Sequence, residues 1–419
     1  MNQNKNTKAI FFLRHNNDID HITPVIYKWV NTKNIPTDVY IMTRREILQD
    51  YRIQFLKQQK NIRIIYLNDL FKTISKPYIF NYIYFKYSTQ LDGMFYKYCF
   101  LRKIARKTIN KMAKKIFQGM ENGVVVFDWT TIFFVREMVQ KAKDKGFKTI
   151  SLPHGEWPYF NYLMQINDFN YDFLDSYEPS KIFDYVVVPN KSCAFIYEKH
   201  IKKDRLKILG SPRYCDEWTK TIGKIIPKYE NPKGDEKLKI VFFLRNIGYP
   251  IFWEEVVRSI KLILQFPNVY LIVKHHPRNT KARKITKKLI GFYPEIKNKI
   301  GKNLEFIYGE EHSGALVRWS DLIIDVGTSA AWEAVKLRKP VLMPEYLHAN
   351  YSKIAHYIKS SELRCRDELY SWIEKFAENK NLQLYGNDER ERFIKETINV
   401  PDKYVLERYT EFLEKCLYD

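Results

Sequence analysis

Short runs of aliphatic, β-branched and aromatic residues recur along this chain, separated by longer segments with helical character. Most of the runs are apolar throughout, which is typical of strands that helices cover on both faces. Strands that alternate with helices predict βαβ units and doubly wound parallel sheets, an α/β fold class. The predicted strands are Ala9–Leu13, Asp38–Met42, Ile62–Leu67, Gly123–Phe127, Lys148–Leu152, Tyr185–Val188, Lys239–Leu244, Val269–Lys274, Leu304–Tyr308, Leu322–Asp325 and Pro340–Met343.

Two features predict that these strands form two sheets. Residues 10–14 read IFFLR and residues 241–245 read VFFLR, each after a Lys-rich polar stretch, as the first strand of a sheet would. Residues 227–237 are polar and contain two Pro and a Gly, as a linker would. A length of 419 residues suits two domains of about 200 residues each. We therefore expect two such domains, with the boundary near residue 230.

Composition excludes several protein classes. With 45% hydrophobic residues the chain has ample material for two cores, which excludes wholesale disorder. The five Cys are scattered without a CxxC pair, so neither a disulfide framework nor a structural zinc site is expected. The first apolar run is too short for a signal peptide, and no run approaches the roughly 20 residues of a spanning helix. We expect a protein of the reducing cytoplasm, soluble or peripheral on the inner face of the cytoplasmic membrane.

The net charge of +22 would attract polyanions such as nucleic acid, anionic lipid or phosphorylated substrates, although a biased composition explains it equally well. Within an aromatic and basic insertion over 71–117, the apolar residues Ile104, Ile109, Met112 and Ile116 are interspersed with Lys and Arg. This pattern predicts a basic amphipathic helix. It would either dock on anionic lipid or cover a sheet with its basic face in solvent.

Ligands bind at the carboxyl ends of parallel strands, so the residues directly after the predicted strands are candidates for a binding site. Residues 273–278 read VKHHPR, and a cluster of Lys274, His276 and Arg278 at a strand end can bind phosphate through charge-assisted hydrogen bonds. The alternative without a binding function is an exposed basic loop. Arg245 and Asn246, directly after another strand, are candidates to line a cleft.

A second motif, DVGTSAAWEAV, runs over 325–335. Gly327, Thr328 and Ser329 would place N–H groups and hydroxyls at a helix N-terminus, which suits phosphate. Glu333 could accept hydrogen bonds from ribose hydroxyls. A capped helix, with Thr328 or Ser329 as the cap, explains the same residues and is compatible with that function.

Two further motifs follow strands of the first half. Residues 152–158 read LPHGEWP, and His154 or Glu156 beside a Gly suits a general base for an acceptor hydroxyl, unless the segment is a plain turn. Residues 209–214 read LGSPRY and supply Ser211 and Arg213 as further cleft candidates.

Phosphate-binding and hydrolase motifs of other enzyme classes are missing from the sequence, including GxxxxGK[ST], GxGxxG, GxSxG and HExxH. Asp18 and Asp20 have the spacing of a metal-binding DxD pair, but they follow the first strand, away from the predicted phosphate-binding motifs of the second half. We therefore expect no metal and no cofactor, with cationic loops stabilising the departing phosphate instead.

In their order along the chain, LPHGEW, LGSPRY, KHHPR and DVGTSAAWEAVKLRKPVL resemble the GT-B glycosyltransferase superfamily. The likeness is to enzymes of bacterial capsule and surface-polysaccharide synthesis, including capsule Kdo transferases and CDP-glycerol glycerophosphotransferases. It covers roughly residues 148–345. The segment Gly327-Thr328-Ser329 replaces the Ser-Ser pair usual in glycerophosphotransferases, which favours a sugar donor.

The resemblance implies two Rossmann-like domains facing across a cleft, with the acceptor bound by 1–230 and the donor by 231–400. It also implies a last helix over 401–419 that crosses back to the first domain. It implies that Lys274, His276, Arg278, Thr328 and Ser329 hold the donor phosphate and Glu333 the ribose. His154 with Glu156 would form the region of the catalytic base.

The function expected is therefore metal-independent, inverting transfer of a sugar from a nucleotide sugar, CMP-linked or other, to a surface glycan or lipid-linked glycan. A polyol-phosphate transferase using CDP-glycerol or CDP-ribitol is the alternative within enzymes. A basic protein that binds nucleic acid or an anionic membrane is the alternative from another class. Nucleic acid is not an expected partner, because no recognised nucleic-acid module is present.

Overall fold

A computed structural model describes residues 7–74, 99–129, 131–161, 179–245, 250–276, 280–309 and 311–419. These residues divide into two compact units. The first contains the described residues of Met1–Glu156, Asp172–Ile225 and Glu396–Asp419, and the second those of Trp157–Tyr171 and Ile226–Lys395. Asn246 and Arg278, together with residues 75–98 of the predicted insertion, lie outside the described residues.

The first unit is built on a parallel sheet of seven strands in the order β3-β2-β1-β4-β5-β6-β7. The strands are β1 (Thr7–Leu13), β2 (Thr37–Ile41), β3 (Ile62–Tyr66), β4 (Asn122–Phe127), β5 (Lys148–Ser151), β6 (Tyr185–Val188) and β7 (Leu206–Ile208). The apolar side chains of the central strands β1 and β4 are almost fully buried, because helices pack on both faces of the sheet.

Helices follow most strands of this unit. They are α1 (Asn16–Thr32), α2 (Tyr51–Lys57), α3 (Leu67–Ile74), α4 (Cys99–Ile116), α5 (Phe133–Lys143), α6 (Pro179–Ile182), α7 (Lys191–Glu198) and α8 (Asp216–Ile225). Short 3-10 turns lie at Arg45–Gln49 and Lys203–Arg205.

The second unit has a parallel sheet of six strands in the order β10-β9-β8-β11-β12-β13, the order of a dinucleotide-binding Rossmann sheet. Its strands are β8 (Leu238–Phe243), β9 (Val269–Lys274), β10 (Leu304–Ile307), β11 (Leu322–Asp325), β12 (Val341–Pro344) and β13 (Glu362–Leu363). Its helices are α9 (Trp253–Ile263), α10 (Thr280–Ile290), α11 (Pro294–Lys297), α12 (Ser313–Trp319), α13 (Ala330–Lys336), α14 (Lys353–Tyr357), α15 (Arg366–Glu378) and α16 (Asn387–Thr397). The last two residues of α16 belong to the first unit. Short 3-10 turns lie at Pro232–Gly234, Glu345–Leu347 and Lys359–Ser361.

The predicted α/β class with two doubly wound parallel sheets is confirmed, and each predicted strand is present with ends that differ from the prediction by at most two residues. Two strands were missed. β7 has three residues, all partly exposed, and β13 has two. Both lie at an edge of their sheet, where a strand needs only one neighbour and leaves little apolar pattern in the sequence.

The predicted basic amphipathic helix corresponds to α4. Its apolar residues Ile109, Met112 and Ile116 are buried, and α4 packs against α5 in the first unit. Its lysines, such as Lys107 and Lys111, are exposed. The apolar face is therefore occupied by the protein itself, which favours the sheet-covering interpretation over insertion of that face into lipid. None of the described helices is long and apolar enough to cross a membrane.

The last helix, α17 (Val405–Tyr418), belongs to the first unit and packs against α1. Lys28 of α1 binds Glu407 of α17 at 2.9 Å and Glu217 of α8 at 3.0 Å. The LGSPRY segment packs on the chain that leads into α17, because Ser211 N–H donates to the Ile398 carbonyl at 2.9 Å. Gly210 permits this approach with a φ of +90°.

We expect Gly210→Ala to destabilise the first unit more than Gly146→Ala does. Both glycines have a left-handed backbone, which costs another residue about 1–2 kcal/mol. At Gly210 an added Cβ would also lie 2.8 Å from the Ile398 carbonyl oxygen, and overpacking adds about 1–3 kcal/mol. At Gly146 the space is open within 4 Å. Differential scanning calorimetry of both variants measures the difference in Tm, and equal losses would contradict the close packing at Gly210.

Candidate functional site

The order of strands in the first unit reverses direction between β1 and β4, and the carboxyl ends of these strands form the switch point at which α/β sheets bind ligands. Arg14 follows β1, Asp128 follows β4, and His154 lies beyond the end of β5. Asp18 lies in the first turn of α1, the helix that leaves β1. These four side chains come together at this edge of the sheet.

His154 is held by two carboxylates through the same ring nitrogen. Its Nδ1 lies 2.5 Å from Asp18 Oδ1 and 3.0 Å from Asp128 Oδ2. Its Nε2 lies 3.4 Å from the side-chain nitrogen of Asn17. The His154 side chain is 30% exposed, whereas the Asp18 side chain is fully buried. His154 is thus the part of the cluster that a substrate can reach.

Asp18 is fixed by the backbone at the start of α1. Its Oδ2 accepts the N–H of Arg14 at 2.7 Å and that of His15 at 2.9 Å, which leaves Oδ1 to His154. A carboxylate in the first turn of a helix is also stabilised by the helix dipole. Asp18 is therefore an anchored hydrogen-bond acceptor.

Arg14 completes the cluster, since its Nη2 donates to Asp128 Oδ2 at 3.1 Å. Burial alone would lower the pKa of His154, but the charges and hydrogen bonds of Asp18 and Asp128 outweigh it and raise that pKa to about 9. His154 is then an imidazolium at neutral pH, and it accepts a proton only in the minor, deprotonated form.

The two residues of the predicted base region differ in their surroundings. Glu156 is 9% exposed, and its Oε2 accepts a hydrogen bond from Asn190 Nδ2 at 3.3 Å. Asn190 also caps α7 and donates to the Thr397 carbonyl at 3.0 Å, so Glu156 belongs to a packed interior network. The geometry favours His154 as the group that exchanges protons with a substrate.

Ser211 and Arg213, expected to face a cleft, are instead buried within the first unit. Ser211 is completely buried where its segment packs on residue 398. Arg213 is 9% exposed and binds Asp20 at 3.0 Å, and Arg52 binds the same carboxylate. Arg213 is thus an ion-pair partner of Asp20, and a role for either residue toward a ligand stays a prediction.

Sequence reasoning missed Arg14, Asp18 and Asp128 as site residues. Asp128 could have been found from the sequence, because this residue follows directly after an apolar strand. Asp18 was noted only for its spacing to Asp20, yet the two aspartates have separate partners: Asp18 contacts His154, and Asp20 contacts Arg52 and Arg213. Their position beside His154 depends on strand order, which the sequence does not display.

The second unit has its own switch point, between β8 and β11. Arg245 follows β8, and its guanidinium donates to the Gly327 carbonyl beyond β11. The same guanidinium lies over the ring of Tyr159, 4.8 Å from its centre. The Tyr159 hydroxyl donates to the Val326 carbonyl at 2.6 Å. Arg245 is thus a cation held at the place where a Rossmann sheet receives a nucleotide.

Tyr159 also explains why a glycine stands at position 327. Gly327 has a φ of +79°, and an added Cβ would collide with the Tyr159 ring. Pairing of residues 158–160 with 351–353 holds this ring in place: Lys353 N–H donates to the Pro158 carbonyl at 2.8 Å, and Phe160 N–H to the Tyr351 carbonyl at 3.0 Å.

Thr328 is already engaged by a buried carboxyl group. Its N–H and its hydroxyl each donate to Asp325 at 2.5 Å. Burial raises the pKa of Asp325 to about 7, although the bonds from Thr328 oppose the rise. Ser329 occupies the N-cap position of α13, a helix of seven residues, without a side-chain capping bond. Asp325 thus takes both donors of Thr328, and the roles of Thr328 and Ser329 toward phosphate stay predictions.

Glu333 is 6% exposed and forms an ion pair with Arg318 of α12. Its carboxylate lies against Gly314, where a Cβ would come within 2.5 Å of Oε1. The expected ribose contact of Glu333 therefore stays a prediction, and in the structure the residue links α12 to α13.

The KHHPR segment begins with a buried lysine. Lys274 is 4% exposed, and its Nζ donates to the Gly309 carbonyl at 2.5 Å. His275 is 1% exposed, and burial, followed by the charges of Arg283 and Lys274, lowers its pKa to about 4. His276 is half-buried at the carboxyl end of the strand. Lys274 thus ties β9 to the loop after β10, and His276 remains the more accessible candidate for a phosphate contact.

Asp18, Asp128 and His154 offer three potential ligand atoms within 4.8 Å of one another, a spacing that a divalent cation could also span. Arg14 already supplies a positive charge to Asp128, and both carboxylates contact Nδ1 of His154. These contacts suit a protonated imidazole between carboxylates, and the expected absence of a metal stays a prediction.

Comparisons with known proteins find likeness at the level of the fold. No family model and no curated protein sequence matches the chain. The UDP complex of S. aureus MnaA has a TM-score of 0.57 at 12% identity and covers 99% of this chain and 98% of its own. The UDP-GlcNAc 2-epimerase from Neisseria meningitidis bound to UDP-GlcNAc has a TM-score of 0.56 at 13% identity, with 98% and 99% covered. A glycosyltransferase from Rickettsia africae ESF-5 has a TM-score of 0.54 at 14% identity, with 99% and 100% covered. The chain has the GT-B fold.

We expect the His154 cluster to bind no divalent cation, because Arg14 and the imidazolium already balance its carboxylates. Dialysis against EDTA should leave the Tm unchanged, and millimolar Mg²⁺ or Mn²⁺ should not raise it, since a ligand that binds only the folded state stabilises that state and raises the Tm. A rise in Tm with Mn²⁺ that is lost in Asp18→Asn would contradict this expectation.

Proposed function

We propose that this protein is a glycosyltransferase that moves a sugar from a nucleotide-activated donor to a hydroxyl of a glycan or lipid-linked glycan. The observation that carries the proposal is the position of Arg245 at the switch point of a sheet with Rossmann strand order. The GT-B fold supports it, since two of the similar structures contain UDP or UDP-GlcNAc.

We assign donor binding to the second unit. Arg245 and the half-buried His276 lie after neighbouring strands β8 and β9, whose carboxyl ends share one edge of the sheet. A diphosphate there would receive charge-assisted hydrogen bonds, which are roughly twice as strong as neutral ones. Lys274 contributes by holding the loop after β10. Arg278 and Asn246 remain candidates from the sequence for the same ligand.

We assign proton removal to His154 of the first unit. The acceptor oxygen attacks the anomeric carbon of the donor, and the bond from that carbon to the nucleotide phosphate breaks. The acceptor proton passes to His154 Nε2, and the phosphate leaves with the bonding electrons. A direct displacement of this kind inverts the anomeric centre, and it requires no metal when cations neutralise the leaving phosphate.

The proposed acceptors include membrane-bound glycans. Exposed lysines of α4, such as Lys107 and Lys111, would meet an anionic surface through charge alone, because the apolar face of that helix is buried. Peripheral association with the cytoplasmic face of a membrane is part of the proposal in this form. Transfer of a polyol phosphate from CDP-glycerol would use the same phosphate-binding residues. Assays with CDP-glycerol and with nucleotide sugars as donors distinguish the two reactions.

A second candidate is epimerisation of a nucleotide sugar at C2. It is favoured by the N. meningitidis epimerase, which matches this chain over almost its full length. Such an enzyme needs a nucleotide sugar but no glycan acceptor, and it changes the donor itself. The products of the two reactions therefore differ.

Arg245→Ala should weaken binding of UDP by about 10- to 100-fold, because a hydrogen bond to a charged group contributes about 1.5–3 kcal/mol. Isothermal titration calorimetry measures the Kd. Arg258→Ala is the matched control, since Arg258 is on the surface of α9 in the same unit and pairs with Glu255. Equal affinities of the Arg245 and Arg258 variants would refute the donor site.

His154→Gln should reduce sugar transfer by about 10²- to 10⁴-fold, the usual contribution of a general base, while UDP binding is retained. The assay follows nucleotide release and glycan product over a panel of nucleotide sugars, with His200→Gln as control. Proton NMR of the recovered donor in D₂O tests epimerisation. If the C2 proton exchanges and an epimer forms in the absence of an acceptor, the reaction is epimerisation and the proposal of sugar transfer is wrong.

A further inference from the structure

The His154 cluster contains more than a base and its partner, because it joins two carboxylates and one arginine to a single imidazole. We propose that Asp18, Asp128 and Arg14 are positioning residues that fix which nitrogen of His154 reacts and the pH range in which it reacts. This inference rests on the proposed role of His154 in transfer.

The orientation of the ring follows from the hydrogen bonds. Both carboxylates meet Nδ1, at 2.5 Å from Asp18 and 3.0 Å from Asp128. A neutral imidazole in this place keeps its hydrogen on Nδ1, since two acceptors face that atom and no donor described there does. The lone pair then lies on Nε2, the nitrogen on the opposite side of the ring. The two aspartates thus select the tautomer that can accept a proton from an acceptor hydroxyl.

The charges of the cluster set the range of pH. Asp18 and Asp128 supply two negative charges, and Arg14 supplies one positive charge through its 3.1 Å contact with Asp128. The cluster is neutral when His154 carries a proton and has a charge of −1 when it does not. Asp18 therefore stabilises the imidazolium, and Arg14 opposes that effect by neutralising Asp128.

His21 and Asp20 of α1, together with their partners, add no net charge to this balance. His21 of α1 is 1% exposed, and burial, followed by the charge of Arg213, lowers its pKa well below the ordinary value, so it is neutral. Asp20 is bound by Arg52 and Arg213, and Arg52 is also bound by Asp50. These two aspartates and two arginines sum to zero. Glu156 accepts its bond from Asn190, away from the imidazole.

Transfer should therefore rise as the pH increases, because only neutral His154 accepts a proton. In the wild-type protein the rise in kcat/KM should have its midpoint near the pKa of about 9. Removing the negative charge of Asp18 lowers the pKa of His154, and removing the positive charge of Arg14 raises it. The two substitutions should displace the profile in opposite directions.

The experiment compares Asp18→Asn and Arg14→Gln over the pH range of transfer. Asp18→Asn retains an oxygen for the N–H groups of Arg14 and His15, and its profile should move down by about one to three pH units. Arg14→Gln should move it up, and Arg14→Lys should return it to the wild-type position. Asp144→Asn, on the surface of the same unit, is the control whose profile should match the wild type.

Direct titration of the ring separates this inference from the proposed function. The histidine NMR signal that disappears in His154→Gln belongs to His154, and its midpoint should shift with the same signs in both variants whether or not transfer is detected. An unchanged midpoint in Asp18→Asn, or shifts of both variants in the same direction, would overturn the inference. If the two midpoints shift as expected but no sugar transfer is detected, the proposed function is refuted and the assigned charges of the cluster are still supported.

Discussion

A parallel strand that is covered on both faces can present chemistry only at its ends, and this constraint organises both units. Strands β1, β4, β8 and β11 are apolar and buried along nearly their whole length. Polar side chains are therefore displaced to the carboxyl edge, where Arg14 and Asp128 meet in one sheet and Arg245 and Gly327 in the other. The candidate sites exist where the apolar strands stop.

The repeated FFLR segment acquires a physical meaning from this arrangement. In each sheet it forms the central strand at which the order reverses, and its arginine reaches the loop after the neighbouring strand. Arg14 contacts a carboxylate there, whereas Arg245 contacts a carbonyl and an aromatic ring. Equivalent positions have thus acquired different surroundings, which is why the two units are assigned different parts of the reaction.

Much of the fold could be predicted from the sequence, because continuous apolar runs report burial on both faces. The strands at the sheet edges could not, since β7 and β13 are too short to form a pattern. The candidate site was only partly predictable. His154 stands in a visible motif, but the roles of Asp18 and Asp128 depend on strand order, which brings residues more than a hundred positions apart into contact. Burial of Ser211 depends on packing that its motif does not encode.

The position of α17 in the first unit has a consequence for how the chain is made. A ribosome releases residues in order, so the second unit's residues 226–395 emerge before Glu396–Asp419. Until those last residues are synthesised, the first unit lacks the helix that packs on α1 and the chain segment on which the Gly210 turn rests. The first unit is thus completed only after residues 226–395 of the second have been synthesised, and the face of α1 that α17 covers stays open until then.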